Sequence, residues 1–392
     1  MAKLSVHLVA WNGAKYIPYL FESLRRQTYR DWELLAIDNN STDGTADLIE
    51  REIKNLPVPA RLVRNEKNLG FAGGHNQAVR LVAKSIGHRA NGNEIDSNST
   101  PYALRPTPSE YIQLLNQDMY LAPDYLEKVV AMMDGNPEAG AGQGTLLKWD
   151  FSKFLISPPR ADPHREDNFQ FPISESLTNI IDTMGLKVLR NRRVVDWRTG
   201  EQMTTHNAPQ PPLTLRGGGV EVFGVSGALP IYRRKAVDDV AFEGSMFDDE
   251  FGSYKEDVDL AFRLRSAGWK AYVTAEARAW HDRTATGPQE MSDSAAMKNR
   301  KGRAAYVNYY SYRNHLTVLL KNEHRANFGK DWPWILGYEL KKFVYLIFTD
   351  WGTLKGLREV KKLWPRTMAK RCAIMANYKV KPEEMRRWFL EK

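Results

Sequence analysis

The first 85 residues alternate short apolar runs with segments of helical spacing, and this alternation restricts the chain to a layered α/β fold. Residues 4–10 form a continuous apolar run, the pattern of a parallel strand covered on both faces. Within 16–27, Ile17, Leu20, Phe21 and Leu24 fall on one helical face. A second apolar run, Trp32 to Ile37, ends in the polar stretch Asp38-Asn39-Asn40-Ser41-Thr42-Asp43-Gly44, a loop by composition. Helical spacing resumes over 45–53. Residues 61–64 read as a third strand, followed by a Gly-rich loop and a helix from about Asn76 to Lys84. Such an order predicts a doubly wound sheet with ligands beyond the carboxyl ends of its strands. The polar loops 38–44 and 68–76 both fall there.

Further along, 87–109 is rich in Asn, Ser, Gly and Pro and reads as an inserted loop. Residues 111–115 read as a strand closing on Asn116-Gln117-Asp118, with a helix following over 123–133. Residues 150–219 read as irregular. Strands are expected at 220–225, 228–232 and 270–274, helices at 234–240 and 256–268, and a separate strand end near Ala279-Trp280-His281. Beyond about 300 the pattern is helical, aromatic and basic. This divides the chain into a unit at 1–300, with 87–109 and 150–219 as insertions, and a C-terminal region at 301–392.

The single cysteine, Cys372, excludes an internal disulfide and a four-thiolate zinc site. It is expected as a packed small residue in a reducing, cytoplasmic setting. The early apolar run is too short for a secretion signal. The nearest approach to a spanning segment, Trp332 to Trp351, is interrupted by Glu339, Lys341 and Lys342. The net charge is +9, and residues 321–392 alone hold 17 Lys and Arg against 8 Asp and Glu, a surplus of the same size. A basic tail of this kind points to an anionic partner. No helix-turn-helix or zinc-finger signature accompanies it, so a nucleic-acid partner is not expected.

Several side chains suit chemistry. Asp118 at a strand's carboxyl end could hold Mg²⁺ or Mn²⁺ against a diphosphate, or simply cap the next turn. A lone histidine such as His281 becomes a ligand only if the fold sets it beside Asp118. Glu256, Asp257 and Asp259 open a helix, where acidic residues are favoured electrostatically. There a carboxylate could also serve as a general base toward a hydroxyl. The loop 68–76 matches neither of the common phosphate-binding glycine patterns.

Taken in order, these segments resemble glycosyltransferase family 2. Val6 to Asn12 with Asp38 to Thr45 resembles the family's opening, and Asn68-Leu69-Gly70-Phe71-Ala72-Gly73-Gly74-His75-Asn76 its second nucleotide-side loop. Leu114 to Asp118 is similar to its metal-binding segment. Gly224 to Ala228, Phe247 to Phe251, Tyr254 to Leu260 with Arg263, and Ala277 to His281 complete the series. The matches run over roughly 4–285 and resemble most the rhamnosyltransferase-like branch.

The resemblance implies a GT-A (Rossmann-like) nucleotide-diphospho-sugar transferase fold with a C-terminal helical extension. It implies that Asp38 reads the base, with Ala10, Asn12, Asn40, Asn68, Gly70, Gly73, Asn76, Asn116 and Gln117 lining the nucleotide. Asp118 and His281 would bind Mg²⁺ or Mn²⁺. Asp257 would be the base with Glu256 beside it, and Trp11, Gly227 and Arg263 would face the acceptor. One base and direct attack implies inversion rather than retention. Many members carry a carboxylate where this chain has Asn116, which leaves Asp118 as the main acidic ligand and increases the weight on His281. The expected donor is dTDP-rhamnose or a UDP-sugar, and the expected acceptor a glycan or lipid-linked saccharide of the cell surface. The aromatic, basic C-terminal region would either pack on the first unit or lie on an anionic membrane surface. A non-catalytic sugar-nucleotide or glycan-binding protein on the same fold is the alternative; the joint presence of Asp118, Glu256, Asp257 and His281 argues against it.

Overall fold

The computed structural model describes residues 2–90, 109–154, 173–204, 219–283, 300 and 302–390. Its centre is a mixed sheet. β1 (Leu4–Ala10), β2 (Trp32–Asp38) and β3 (Ala60–Arg64) run parallel, and β4 (Tyr111–Asn116) joins the other side of β1, also parallel. β5 (Met119–Leu121) follows at once. β6 (Ala139–Trp149) is flanked by β7 (Leu177–Thr183), and β8 (Leu186–Val188) pairs with β9 (Val194–Asp196) as a separate hairpin. β10 (Gly219–Val222), β11 (Ile231–Arg233) and β12 (Lys270–His281) complete the set, in the order β10-β12-β6-β11-β4-β1-β2-β3. β11 runs antiparallel to both neighbours, so it is a single inverted strand between β4 and β6, which point the same way.

The strands are apolar on both faces because helices cover both. Leu4, Val6, Leu8 and Ala10 pack with α1 (Ile17–Arg25), α2 (Thr45–Ile53) and α4 (Tyr125–Gly135). The other face meets α3 (Gly70–Ala90), α5 (Arg234–Val240) and α6 (Glu256–Ser266). Helix α3 starts at Gly70, six residues before the expected start, and the glycines explain why. Asn68 Oδ1 accepts from Gly70 N–H at 2.7 Å, and Gly70 turns with φ +73°. A Cβ on Gly74 would stand 2.8 Å from Val9 Cγ1, so this glycine lets α3 lie close on β1.

Four other expectations change. The stretch 150–219 contains β7, β8 and β9, although 155–172 and 205–218 lie outside the described residues. The two expected strand pieces at 270–274 and 279–281 are one strand, β12, with an irregularity between Thr274 and Arg278. Cys372 is exposed rather than packed. Of the expected insertion at 87–109, α3 runs on to Ala90, and 91–108 lie outside the described residues.

Among the described residues, four helices form the C-terminal region: α7 (Ala305–Asn322), α8 (Arg325–Thr349), α9 (Trp351–Ala376) and α10 (Pro382–Leu390). Buried ion pairs join them to the sheet unit. Lys321 Nζ lies 2.5 Å from Asp248 and 3.0 Å from Asp259, and all three side chains are fully buried. Arg192, in the β8–β9 turn, grips Glu323 with two bonds of 2.8 Å and reaches Asp331 at 3.2 Å. Arg190 and Arg386 also bind Asp331.

Candidate active site

At the carboxyl ends of β1 and β2, the loop 38–44 is held from within. Asp38 Oδ2 accepts from Ser41 N–H at 3.1 Å, while its Oδ1 is buried with no hydrogen-bond partner among the described residues. Buried carboxylate oxygens are ordinarily paired, so this one is available to a ligand donor. Asn12, with φ +48°, donates its N–H to Ser41 Oγ and accepts from Thr42 N–H. Gln117 binds both main-chain groups of Trp11, accepting its N–H at 2.8 Å and donating to its carbonyl at 3.0 Å. It thereby ties the end of β4 to the end of β1, and a Cβ at Gly13 would collide with it. Asn116 ends β4 beside β1, Asn40 lies in the 38–44 loop with φ +64°, and the Trp11 side chain after β1 is exposed.

Two expected site residues are occupied elsewhere. Asn76 is fully buried and does not face the nucleotide opening. Its amide donates to Phe247 O and Asp249 Oδ1 and accepts from Phe247 N–H, clamping the loop before α6. Arg263 does not face an acceptor either. Its guanidinium donates to Asp259 Oδ2 at 2.9 Å and to the carbonyls of Val240 and Met246. Of the glycines at the start of α3, Gly70 sits against the carbonyl of Gly252, and Gly73 lies over Leu69.

The pairing of β5 with β12 sets Met119 opposite His281, which brings the preceding Asp118 beside that imidazole. Asp118 O accepts from Asp282 N–H, closing the junction. His281 Nε2 lies 3.5 Å from Asp118 Oδ2, and Nδ1 lies 2.9 Å from Asp182 Oδ2. Burial disfavours the charged ring, yet the flanking Asp118 and Asp182 carboxylates outweigh it and raise its pKa to about 10. Asp182 itself is held down despite burial, by Arg283 and His281. Arg283 continues the chain to Asp196 at 2.7 Å. A divalent cation could take this pair only by displacing the Nε2 proton, leaving one carboxylate oxygen and one imidazole nitrogen as ligands with Asp182 fixing the ring from behind. Among the described residues no cluster of three or more such side chains forms, so the other coordination positions would be left to phosphate and water.

Asp257 sits at the start of α6. Its Oδ2 accepts from Gly227 N–H at 3.0 Å and its Oδ1 from Val258 N–H at 2.8 Å. Each oxygen keeps a lone pair, so the carboxylate is oriented but not saturated. Burial raises its pKa, against Lys255 and those two N–H groups. Glu256 is raised well above the usual range, first by burial and then by Asp257. Its Oε2 has no hydrogen-bond partner among the described residues. The turn into this helix is strained, with Tyr254 at φ +70° and Lys255 at φ +72°.

Sequence reasoning missed Asp182, Asp196 and Arg283. The apolar, β-branched run around Ile180, Ile181 and Thr183 was the available signal for a strand carrying Asp182.

Residues 5–85 match the model of "Glycosyl transferase family 2". The chain is 24% identical over 299 residues to the N-acetylglucosaminyl-diphospho-decaprenol L-rhamnosyltransferase of Mycobacterium tuberculosis, covering 75% of this chain and 80% of the relative. Two solved structures align over nearly the whole chain. S. aureus TarS 1–349 with UDP-GlcNAc does so at 14% identity and TM-score 0.48, covering 98% of this chain and 91% of that one. The Pyrobaculum calidifontis mannosyltransferase PcManGT with GDP-Man and Mn²⁺ does so at 14% identity and TM-score 0.45, covering 99% and 83%. The matched amino-terminal segment and the rhamnosyltransferase relative together make the chain similar to the rhamnosyltransferase-like proteins of glycosyltransferase family 2, on a mixed α/β sheet.

Proposed function

We propose that the protein is an inverting, metal-dependent transferase that moves a sugar from a nucleotide-diphosphate donor to a hydroxyl of a glycan or lipid-linked acceptor. dTDP-rhamnose is the first donor to test, then the UDP-sugars. The reading rests chiefly on the Asp257 carboxylate, held by Gly227 and Val258 with lone pairs to spare, and on the Asp118–His281 pair, linked to it electrostatically through Arg283, which meets both Asp182 and the field of Asp257.

In this reading Asp257 accepts the proton of the acceptor hydroxyl. The hydroxyl oxygen forms a bond to the anomeric carbon. The bond from that carbon to the diphosphate oxygen breaks on the opposite face, and its electron pair leaves with the nucleotide diphosphate. One displacement inverts the centre. Glu256, whose carboxyl burial and then Asp257 push well above the usual range, orients the acceptor or the base. Asp38 and the 38–44 loop receive the nucleoside. A divalent cation held by Asp118 and His281 would neutralise charge on the departing diphosphate.

The test is a donor screen that follows nucleotide diphosphate release with and without Mn²⁺ or Mg²⁺, repeated with Asp257→Asn and Asp118→Ala. Full activity in both variants would overturn the assignment of the site. Donor binding without turnover in the unaltered protein would favour the non-catalytic alternative.

A further inference from the structure

Helix α8 is built inside out. Its inward line carries Asn327, Asp331, Ile335, Lys342 and Leu346, so three of five buried positions are polar. All three are accommodated. Asn327 donates to Pro382 O, Asp331 receives Arg190, Arg192 and Arg386, and Lys342 lies 3.9 Å from Glu339 and over the Tyr312 ring. The outward face is apolar instead. Trp332, Leu336, Leu340 and Phe343 succeed one another at helical spacing, with Val344 and Phe348 beside them. Leu340 is 63% exposed and Phe348 81%. A helix facing water ordinarily shows the reverse arrangement. A contiguous apolar face of this kind marks an interaction site.

The next helix states which partner fits. α9 opens with Trp351, 69% exposed, and presents Lys355, Arg358, Lys361, Lys362 and Arg366 outward, with Glu359 the one acidic residue of the helix. Exposed apolar side chains on one helix and exposed cations on the next suit an anionic bilayer, with the rings at the acyl boundary and the cations among the headgroups. Among the described residues no helix is long and apolar enough to cross a membrane, so α8 would lie in the interface plane.

From these observations we infer that the outer face of α8 and α9 docks on an anionic lipid surface. The inference goes beyond the transfer reaction, but its position bears on it. A Cβ on Gly356 of α9 would stand 3.2 Å from Arg313 Cβ, on α7. Arg313 donates to the carbonyls of Glu250 and Phe251, and Asn314 to those of Phe251, Ser253 and Tyr254. That loop runs directly into Glu256 and Asp257. The inner side of α9 therefore packs on α7, which in turn holds the loop leading to the candidate base.

Vesicle sedimentation with the full chain tests this without any donor, so its outcome is independent of whether transfer is found. Phosphatidylcholine vesicles with phosphatidylglycerol should pellet the protein at low salt, and vesicles of phosphatidylcholine alone should pellet far less. Leu340→Ser with Phe348→Ser, and separately Lys362→Glu with Arg366→Glu, should each lower binding roughly tenfold or more. These residues are exposed, so circular dichroism should show both variants folded. No binding of the unaltered chain to the anionic vesicles would overturn the proposal. So would light scattering that shows a dimer dissociated by the Leu340/Phe348 variant, which would assign the face to a second copy.

Discussion

At the residue scale, the arrangement around α6 separates two adjacent carboxyl groups by environment. Glu256 is pushed well above the usual carboxylate range by burial and by its neighbour, whereas Asp257 has main-chain donors on both oxygens. Asp257→Asn keeps the shape and removes the proton acceptor, so kcat should fall by about 10²–10⁴-fold, with donor binding retained. The raised pKa of Asp257 fixes the direction of the pH dependence. The carboxyl keeps its proton to a higher pH than a free aspartate near about 3.9. Activity should therefore be lost, as pH falls, through a midpoint above that value, as read from kcat/KM against pH. Asp182 acts on His281 from the far side of the ring. Asp182→Asn should weaken Mn²⁺ binding by roughly 10–100-fold, as measured by calorimetric titration in the absence of substrate.

At the scale of elements, the chain is legible where hydrophobic pattern decides and opaque where distant pairing does. β1, β2 and β4 are read from sequence because burial on both faces demands unbroken apolar runs. The start of α3 is misread because its glycines look like a loop. They serve close approach to Val9 and to the Gly252 carbonyl, contacts to residues remote in sequence. Arg263 is misplaced for a similar reason: the carbonyls of Val240 and Met246 that occupy it carry no sequence signal. The nucleotide-side loops are local and can be named from composition. The approach of Asp118 to His281 requires the β5–β12 register, and Asp182 requires β7 against β6. Asn76 shows what such long-range contacts control. Asn76→Ala would leave the main-chain groups of Phe247 unpaired in a buried site. It should destabilise the fold by about 1–3 kcal/mol, seen as a lower midpoint in urea. Added nucleotide should not restore that midpoint to the value of the unaltered protein.

For the whole molecule, the question is whether 301–392 is an appendage or part of one cooperative unit. The buried charges favour one unit. Asp248 and Asp259 belong to the sheet side, and their shared cation, Lys321, belongs to α7. Lys370 of α9 adds a second cation to Asp248 at 2.5 Å, and Asn322 donates to Asp259. Burial alone would raise Asp248, but Lys321 and Lys370 outweigh it and hold its pKa at about 2. A carboxyl depressed in the folded state, against about 3.9 unfolded, stabilises the protein above pH of about 4. That contribution is lost as pH falls toward 2, and from the two pKa values it is on the order of 2 kcal/mol. Lys321→Met removes the cation and leaves two buried carboxylates short of a partner. Breaking a buried pair from one side costs about 3–5 kcal/mol. The carboxyls of the variant would then take up protons at higher pH than in the unaltered protein. The acid unfolding midpoint should accordingly move upward, and the loss should be largest at neutral pH. Followed by far-ultraviolet dichroism and by tryptophan fluorescence, the transition should remain single, because Lys370–Asp248, Arg192–Glu323 and Arg192–Asp331 still join the two regions. Two separated transitions in the unaltered chain would show instead that the helices fold apart from the sheet.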